Sequence, residues 1–249
     1  NFTVLTLFPE LMNAFFDHGM IGRAILRDLI KGQAINIRDF ARDRHNTVDD
    51  RPYGGGSGMV MKPGPLARAI SSAKKEFPHA RVILLTPQGK RFDQTAACKM
   101  AESGQDLIFI CGRYEGIDER VCELFVDEEM SMGDFVMTGG ELAAMAIIDS
   151  TARLIPGVLG SKDSCLEDSF MDDRLEHAHY TRPEGFKTIK VPGVLLSGDH
   201  GKVREWRLKS SLARTFMKRP DLFDRTRPTP EEKEILRRWA MEFDALARA

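Results

Sequence analysis

The sequence predicts an α/β domain with a largely parallel sheet, followed by a small helical domain. Short β-rich runs alternate with amphipathic stretches up to about residue 150, which is the signature of strands joined by crossover helices. The alternation stops after Pro156 and Gly157, residues that end a helix. Two stretches of helical periodicity then close the chain.

The expected strands are TVLTLF (3–8), AINIRDF (34–40), RVILLT (81–86), DLIFICG (106–112) and FVMT (135–138). Between them, GPLARAISSAKKEF (64–77) carries Pro65 in its first turn, and FDQTAACKMAES (92–103) is amphipathic. ELAAMAIIDSTARLIPG (141–157) reads as an apolar helix stopped by its Pro-Gly end. Residues 158–200 show little periodicity and read as a linker and irregular connection. Helices are expected over 202–218 and 230–247. The domain division that follows is 1–160, a linker at 161–172, and 173–249.

A chain of 249 residues buries a sizeable core without covalent staples. Its four cysteines, Cys98, Cys111, Cys122 and Cys165, have neither CxxC spacing nor disulfide-scaffold density, which points to a reducing, cytoplasmic setting. No apolar run is long enough for a membrane span, and no basic segment leads into a signal-peptide core, so no membrane partner is expected. Net charge is −1, but it is unevenly spread. Residues 113–141 hold nine acids against Arg113 and Arg120, whereas 201–219 hold seven bases against Glu205 alone. The local field, not the sum, steers a polyanion.

Helix 202–218 places Arg204, Arg207, Ser211, Arg214 and Lys218 on one narrow face, a basic ridge suited to a nucleic-acid backbone. A solvated helix face is the plainer reading. Among the glycine-bearing segments, neither Gly89-Lys90 nor Gly201-Lys202 has the upstream glycine of a P-loop, and the first strand is followed by no Rossmann glycine fingerprint. Three loops remain that each follow an expected strand: TPQGKR (86–91), CGRYEGIDER (111–120) and SMGDFVMTGGEL (131–142). In α/β sheets ligands sit where the chain leaves the carboxyl ends of strands, so these loops are candidates for one pocket. Any one of them, taken alone, reads equally well as a tight turn.

Those loops, together with RDRHNTVDDRPYGGGSGMVM (42–61), LEDSF (166–170), HYTRPE (179–184) and VPGVLLSGDHGKVREWRLKSSLARTF (191–216), resemble the bacterial tRNA (guanine-N1)-methyltransferases in order through nearly the whole chain. The resemblance implies a trefoil-knotted methyltransferase domain of the SPOUT type joined to a helical tRNA-binding domain. It also implies a homodimer whose active sites are shared across the interface. General physics would not propose the knot, since knots are almost absent from proteins.

By the same resemblance, the cofactor is S-adenosylmethionine, with magnesium required and its ligands unspecified. The cofactor pocket is implied at Pro87, Gln88 and Gly89, at Gly112, Tyr114, Glu115 and Gly116, and at Met132, Gly133, Asp134, Phe135, Val136, Met137, Thr138, Gly139 and Gly140. YGGGSG (53–58) is placed near the active site. The general base falls on Asp168 and an essential arginine on Arg153. Guanine N1 becomes nucleophilic when a base takes its proton, and a fixed cation stabilises the charge that develops towards O6. Without the resemblance, Asp168 reads as a cap or turn residue and Arg153 as a cation at a helix end. The implied substrate is tRNA bearing guanosine immediately 3′ of its anticodon. Lys202, Arg204, Arg207, Arg214 and Lys218 are the candidate contacts to the anticodon stem-loop, with Arg219 and Lys209 nearby. Phe135 and Thr138 stand where related sequences often carry Tyr and Ser. Two other readings remain: a knotted methyltransferase acting on ribosomal RNA or a ribose 2′-hydroxyl, and a silent RNA-binding protein.

Overall fold

The computed structural model describes residues 1–160, 168–225 and 227–248. The chain divides into two compact units, 1–162 and 163–249.

The first unit is built on β1 (Phe2–Thr6), α1 (Pro9–Asp17), α2 (Gly19–Leu26), β2 (Gly32–Asn36), β3 (Asp49–Asp50), β4 (Val60–Met61), α3 (Pro63–Glu76), β5 (Arg81–Arg91), α4 (Gln94–Ser103), β6 (Leu107–Cys111), α5 (Glu119–Phe125), β7 (Glu128–Ser131) and α6 (Glu141–Ala152). Five strands form one parallel sheet in the order β2-β1-β6-β5-β7, while β3 and β4 pair as a separate antiparallel ribbon.

Strand periodicity decides which helices cover which face. Phe2 and Val4, Ile83 and Leu85, and Leu107, Phe109 and Cys111 enter one core with α1, α2, α4 and α6. The alternate residues Leu5, Val82, Leu84, Ile108 and Ile110 enter a second core with α3 and α5. The central strands β1 and β6 are buried throughout and read as continuous apolar runs because both faces are covered.

Local sequence sets the helix ends. Asp93 caps α4 by accepting from Ala96 N, and Gly104 ends it in the left-handed region at φ +58. Asp118 caps α5 through Arg120 N. Helix α6 is mostly apolar, with Leu142 exposed beside the buried Ala143, Ala144, Ile147 and Ile148.

FVMT (135–138), expected as a strand, is extended loop, and the sheet strand is instead the preceding Glu128–Ser131. The β-prone run lost because Gly133, at φ +142, turns the chain off the sheet before it, while Glu128 and Glu129 take ladder positions that their composition did not advertise.

The second unit contains a two-stranded hairpin, β8 (Gly185–Phe186) and β9 (Ile189–Lys190), then α7 (His200–Lys218) and α8 (Pro230–Ala247). Its helices match the periodicity in sequence. Asp199 caps α7 through Lys202 N, and Thr229 with Glu232 forms a reciprocal capping box on α8.

Among the described residues of this unit, the buried apolar side chains are Leu212, Leu222 and Ile235. Polar ties do much of the holding. Arg174 meets Glu232 through two hydrogen bonds of 2.6 and 2.7 Å, both side chains being buried. Segment 174–178 is laced to α7: Ser211 donates to Leu175 O, Leu175 N to Thr215 Oγ1, and Ala178 N to Ser210 Oγ.

Candidate cofactor and RNA sites

The pocket of the first unit begins with an interruption in β5. Leu85 and Lys90 both lie opposite Met130 of β7, so residues 86–89 leave the ladder and return to it. The excursion carries Pro87 and Gln88 to the pocket wall. Gly89 is where the chain rejoins the sheet; a Cβ there would collide with the backbone of Glu129 and Met130.

The second wall follows β6. Tyr114 (φ +61) and Gly116 (φ +128) turn the chain sharply, and Glu115 N donates to Met59 O while Met61 N donates to Gly116 O. The YGGGSG loop is therefore rooted at the pocket rim, through β4 and the residue before it.

Residues 132–140 supply the third wall. They close on the second through Gly140 N donating to Gly112 O at 3.1 Å and a bridge between Arg113 and Gly139. A Cβ on Gly140 would lie 2.8 Å from Cys111 Cα, so only glycine lets these two segments meet.

Beneath them lies a buried ion pair. Glu141, 1% exposed at the first turn of α6, meets Arg113 at 2.8 Å and accepts from Thr6 Oγ1 at 2.7 Å. Arg113 also donates to Thr138 O and packs over the Phe8 ring. One carboxylate thus ties the end of β1, the loop after β6, the 132–140 segment and the start of α6.

The resulting cavity, of about 310 Å³, is lined by Pro87, Gln88, Gly112, Tyr114, Glu115, Gly116, Met132, Phe135, Val136, Met137, Thr138, Gly139 and Gly140 from the sequence reading. Gly89, Gly133 and Asp134 do not line it: the first packs on β7, the second makes the turn, and Asp134 is exposed. The wall also contains Leu84, Leu85, Ile117, Met130 and Ala143, and the acids Glu119 and Glu129 beside Cys122. Burial and those two carboxylates push the Cys122 thiol up to about 11, and burial above all, with Glu141, raises that of Cys111 well above its ordinary value.

S-adenosylmethionine fits this wall. Its adenine needs an apolar slot and backbone groups at close range, which Leu84, Leu85, Ala143 and the glycines offer. Its sulfonium and ammonium charges suit a rim bearing Glu115, Glu119 and Glu129.

The sequence reading missed Arg113, Glu141 and Thr6. The available signal was an acid opening a largely apolar helix directly after two glycines.

Arg153 belongs to the first unit, at the C-terminal cap of α6, its N–H donating to Asp149 O. Asp168 belongs to the second unit, half-buried, with its carbonyl accepting from Met171 N. Cys165 and the first part of the expected linker lie outside the described residues. Among the described residues, no three His, Cys, Asp or Glu side chains assemble as a metal site, and no helix is long and apolar enough to cross a membrane.

On α7, Arg204, Arg207 and Lys218 are exposed and Arg214 is half-buried, and several of its bases meet acids, one of them from α8. Glu231 of α8 meets Arg204 at 3.7 Å, Asp199 holds Lys202 at 3.1 Å, and Glu205 holds Lys209 at 2.7 Å. Ser211, in the middle of the ridge, faces inward to Leu175 O, so segment 174–178 covers that part of the face.

A sequence profile of the family described as tRNA (Guanine-1)-methyltransferase matches residues 1–225. Among curated relatives, proteins called tRNA (guanine-N(1)-)-methyltransferase are similar from end to end. That of Desulfatibacillum aliphaticivorans is 50% identical, across 100% of this chain and 94% of its own length. That of Shewanella frigidimarina is 52% identical, across 98% of both. The Halorhodospira halophila protein is 53% identical, across 99% of this chain and 93% of its own. With a glycine-built pocket at the carboxyl ends of a parallel sheet and a match of this length, the chain belongs to the tRNA (guanine-N1)-methyltransferase family.

Proposed function

We propose that this protein methylates N1 of the guanosine immediately 3′ of a tRNA anticodon, using S-adenosylmethionine. The observation that carries the reading is the pocket of strand-end loops, with glycines where backbones must touch and acids at its rim, in a chain of this family. S-adenosylmethionine supplies an electrophilic methyl group when bound there.

The chain's residues divide the remaining work. Loops 86–89, 112–116 and 132–140 hold the cofactor, pinned from below by Arg113 and Glu141. The Asp168 carboxylate takes the N1 proton of guanine as N1 becomes the nucleophile, and the Arg153 guanidinium faces the charge developing at O6. Orientation of nucleophile and methyl group contributes much of the acceleration. The target base leaves its stack to present its Watson–Crick edge. Arg204, Arg207, Arg214, Lys218 and Lys202 contact the phosphates of the anticodon stem.

The protein works as a homodimer. Phe8, Leu11 and Leu142 are 44%, 44% and 60% exposed on α6 and the adjoining start of α1, an apolar patch suited to a second body. A second chain then supplies Asp168 to the pocket of the first. The cysteines Cys98, Cys111 and Cys122 form no disulfide with one another, which accords with a cytoplasmic setting. Magnesium has no ligand set among the described residues, and no step here passes through it.

Methyl transfer to an unmodified tRNA transcript with guanosine 3′ of its anticodon, followed by nucleoside mass spectrometry, tests the reading. It requires 1-methylguanosine at that position. A 2′-O-methyl nucleoside, or no product from protein that binds cofactor, rejects it.

A further inference from the structure

On α7, Lys202, Arg204 and Lys209 meet acids, and a second positive surface of this unit lies outside that helix. It is the stretch 179–190, every residue of which is exposed. Arg182, Lys187 and Lys190 stand there against Glu184 alone, and none of the three makes an ion pair among the described residues.

Aromatic rings are interleaved with these cations. Tyr180 is 47% exposed, its ring centroid 6.1 Å from that of Trp206, and His177 bridges Trp206 (6.4 Å) and His179 (4.4 Å). Farther along, the β8–β9 hairpin holds Phe186 out at 69% exposure, with Lys187 at its turn (φ +55) and Nζ 5.7 Å from the Phe186 ring.

The chain leading to Tyr180 is tied to α7. Ala178 N is held by Ser210 and Leu175 by Ser211 and Thr215, which anchors the segment leading to Tyr180 against α7. Exposed aromatic faces with unpaired cations between them are the composition that stacks single-stranded bases while holding their phosphates. A protein interface of this size would have a core depleted of lysine, and this stretch has the reverse.

We propose that Tyr180 and Phe186, with Arg182, Lys187 and Lys190, form a stacking platform for unpaired bases of the RNA substrate, separate from the ridge of α7. The inference rests on the functional reading above, and it adds a base-contacting surface to a unit otherwise read as a phosphate binder.

The test uses the full chain with S-adenosylmethionine and tRNA transcripts carrying 2-aminopurine at each unpaired anticodon-loop position in turn. One position should be quenched on binding by the wild type, and the quench should vanish in Tyr180→Ala/Phe186→Ala with a roughly tenfold weaker Kd. Tyr180→Phe/Phe186→Tyr keeps two faces and should retain both signals. In salt titrations the alanine pair should keep the wild-type slope, whereas Lys187→Ala/Lys190→Ala should lower it by about 1.5. Cofactor affinity should stay the same in all variants, which reports intact folding of the first unit, and thermal melting checks the second.

Unchanged tRNA affinity and quench in the alanine pair overturn the platform while leaving the functional reading standing. So does a shift from dimer to monomer in sedimentation with RNA affinity per dimer unchanged, which would assign the stretch to a second copy of the chain. Failure of the wild type to bind tRNA while binding cofactor defeats the functional reading itself, and the platform with it.

Discussion

The two units solve the problem of holding a site in opposite ways. In the first, two apolar cores sandwich a parallel sheet, and the pocket is made of backbone brought together by glycine, with one buried carboxylate as a pin. In the second, little apolar surface is buried, and an ion pair, a capping box and serine and threonine hydroxyls fix the geometry. A backbone-built pocket is rigid and suits a constant cofactor. A scaffold of polar ties presents side chains outward and suits a large charged substrate.

The sharpest way to separate the two roles is Asp168→Asn. We expect about a 10³-fold fall in the single-turnover methyl-transfer rate, within the range of lost general-base catalysis, and cofactor affinity within twofold of wild type. Equal single-turnover rates would remove Asp168 as the base.

Next, Glu232→Gln breaks the ion pair of the second unit and should cost it about 3 kcal/mol, since Arg174 is left buried and charged. Hydrogen exchange should rise in α7 and α8 and stay the same in the sheet. Acid should act in the same direction. The Arg174 guanidinium holds the Glu232 carboxyl below its ordinary value, against the opposing effect of burial, with the Thr229 N–H assisting. A depressed carboxylate contributes its stability above the unfolded-state pKa and loses it as pH falls through the lower, folded value. Melting of the second unit followed below pH 5, near the ordinary carboxylate range, should therefore show a fall with acid that is smaller in Glu232→Gln.

Gly140→Ala reverses the experiment. Its Cβ enters the space of Cys111 Cα at 2.8 Å, an overpacking worth about 2 kcal/mol, so cofactor affinity should fall by roughly 30-fold in calorimetry while tRNA affinity holds. The smallest effect concerns Cys122. With its thiol pushed up to about 11, alkylation should be slow at neutral pH, accelerate into the alkaline range and be slowed further by bound cofactor, as read by peptide mass spectrometry.

Much of this comparison was legible in the sequence. The alternation of strands and helices announced a largely parallel sheet, and α8 spans the residues its periodicity put it on. The three strand-end loops were readable as one pocket because each follows an expected strand, although any one alone also reads as a turn.

What could not be read were the relations between distant residues. FVMT has strand composition, yet a single glycine ahead of it diverts it into the pocket wall. The ridge on α7 looked free of acids because its counter-charge, Glu231, comes from another helix. Arg113 is one charged residue in a loop full of them until the fold places Glu141 beneath it. The stretch 179–190 has no periodicity to betray it, and only its complete exposure distinguishes it from ordinary loop.

The hydrogen bond from Thr6 to Glu141 spans 135 positions of the chain. A protein made from its N-terminus therefore finishes β1 long before the carboxylate that anchors the pocket has been synthesised. Until α6 follows, Arg113 has no buried counter-charge and the 132–140 segment has no anchor at its far end. Cofactor capture is thus a late event in the life of the nascent chain, and a ribosome stalled before Glu141 would carry a protein with most of its sheet and none of its affinity.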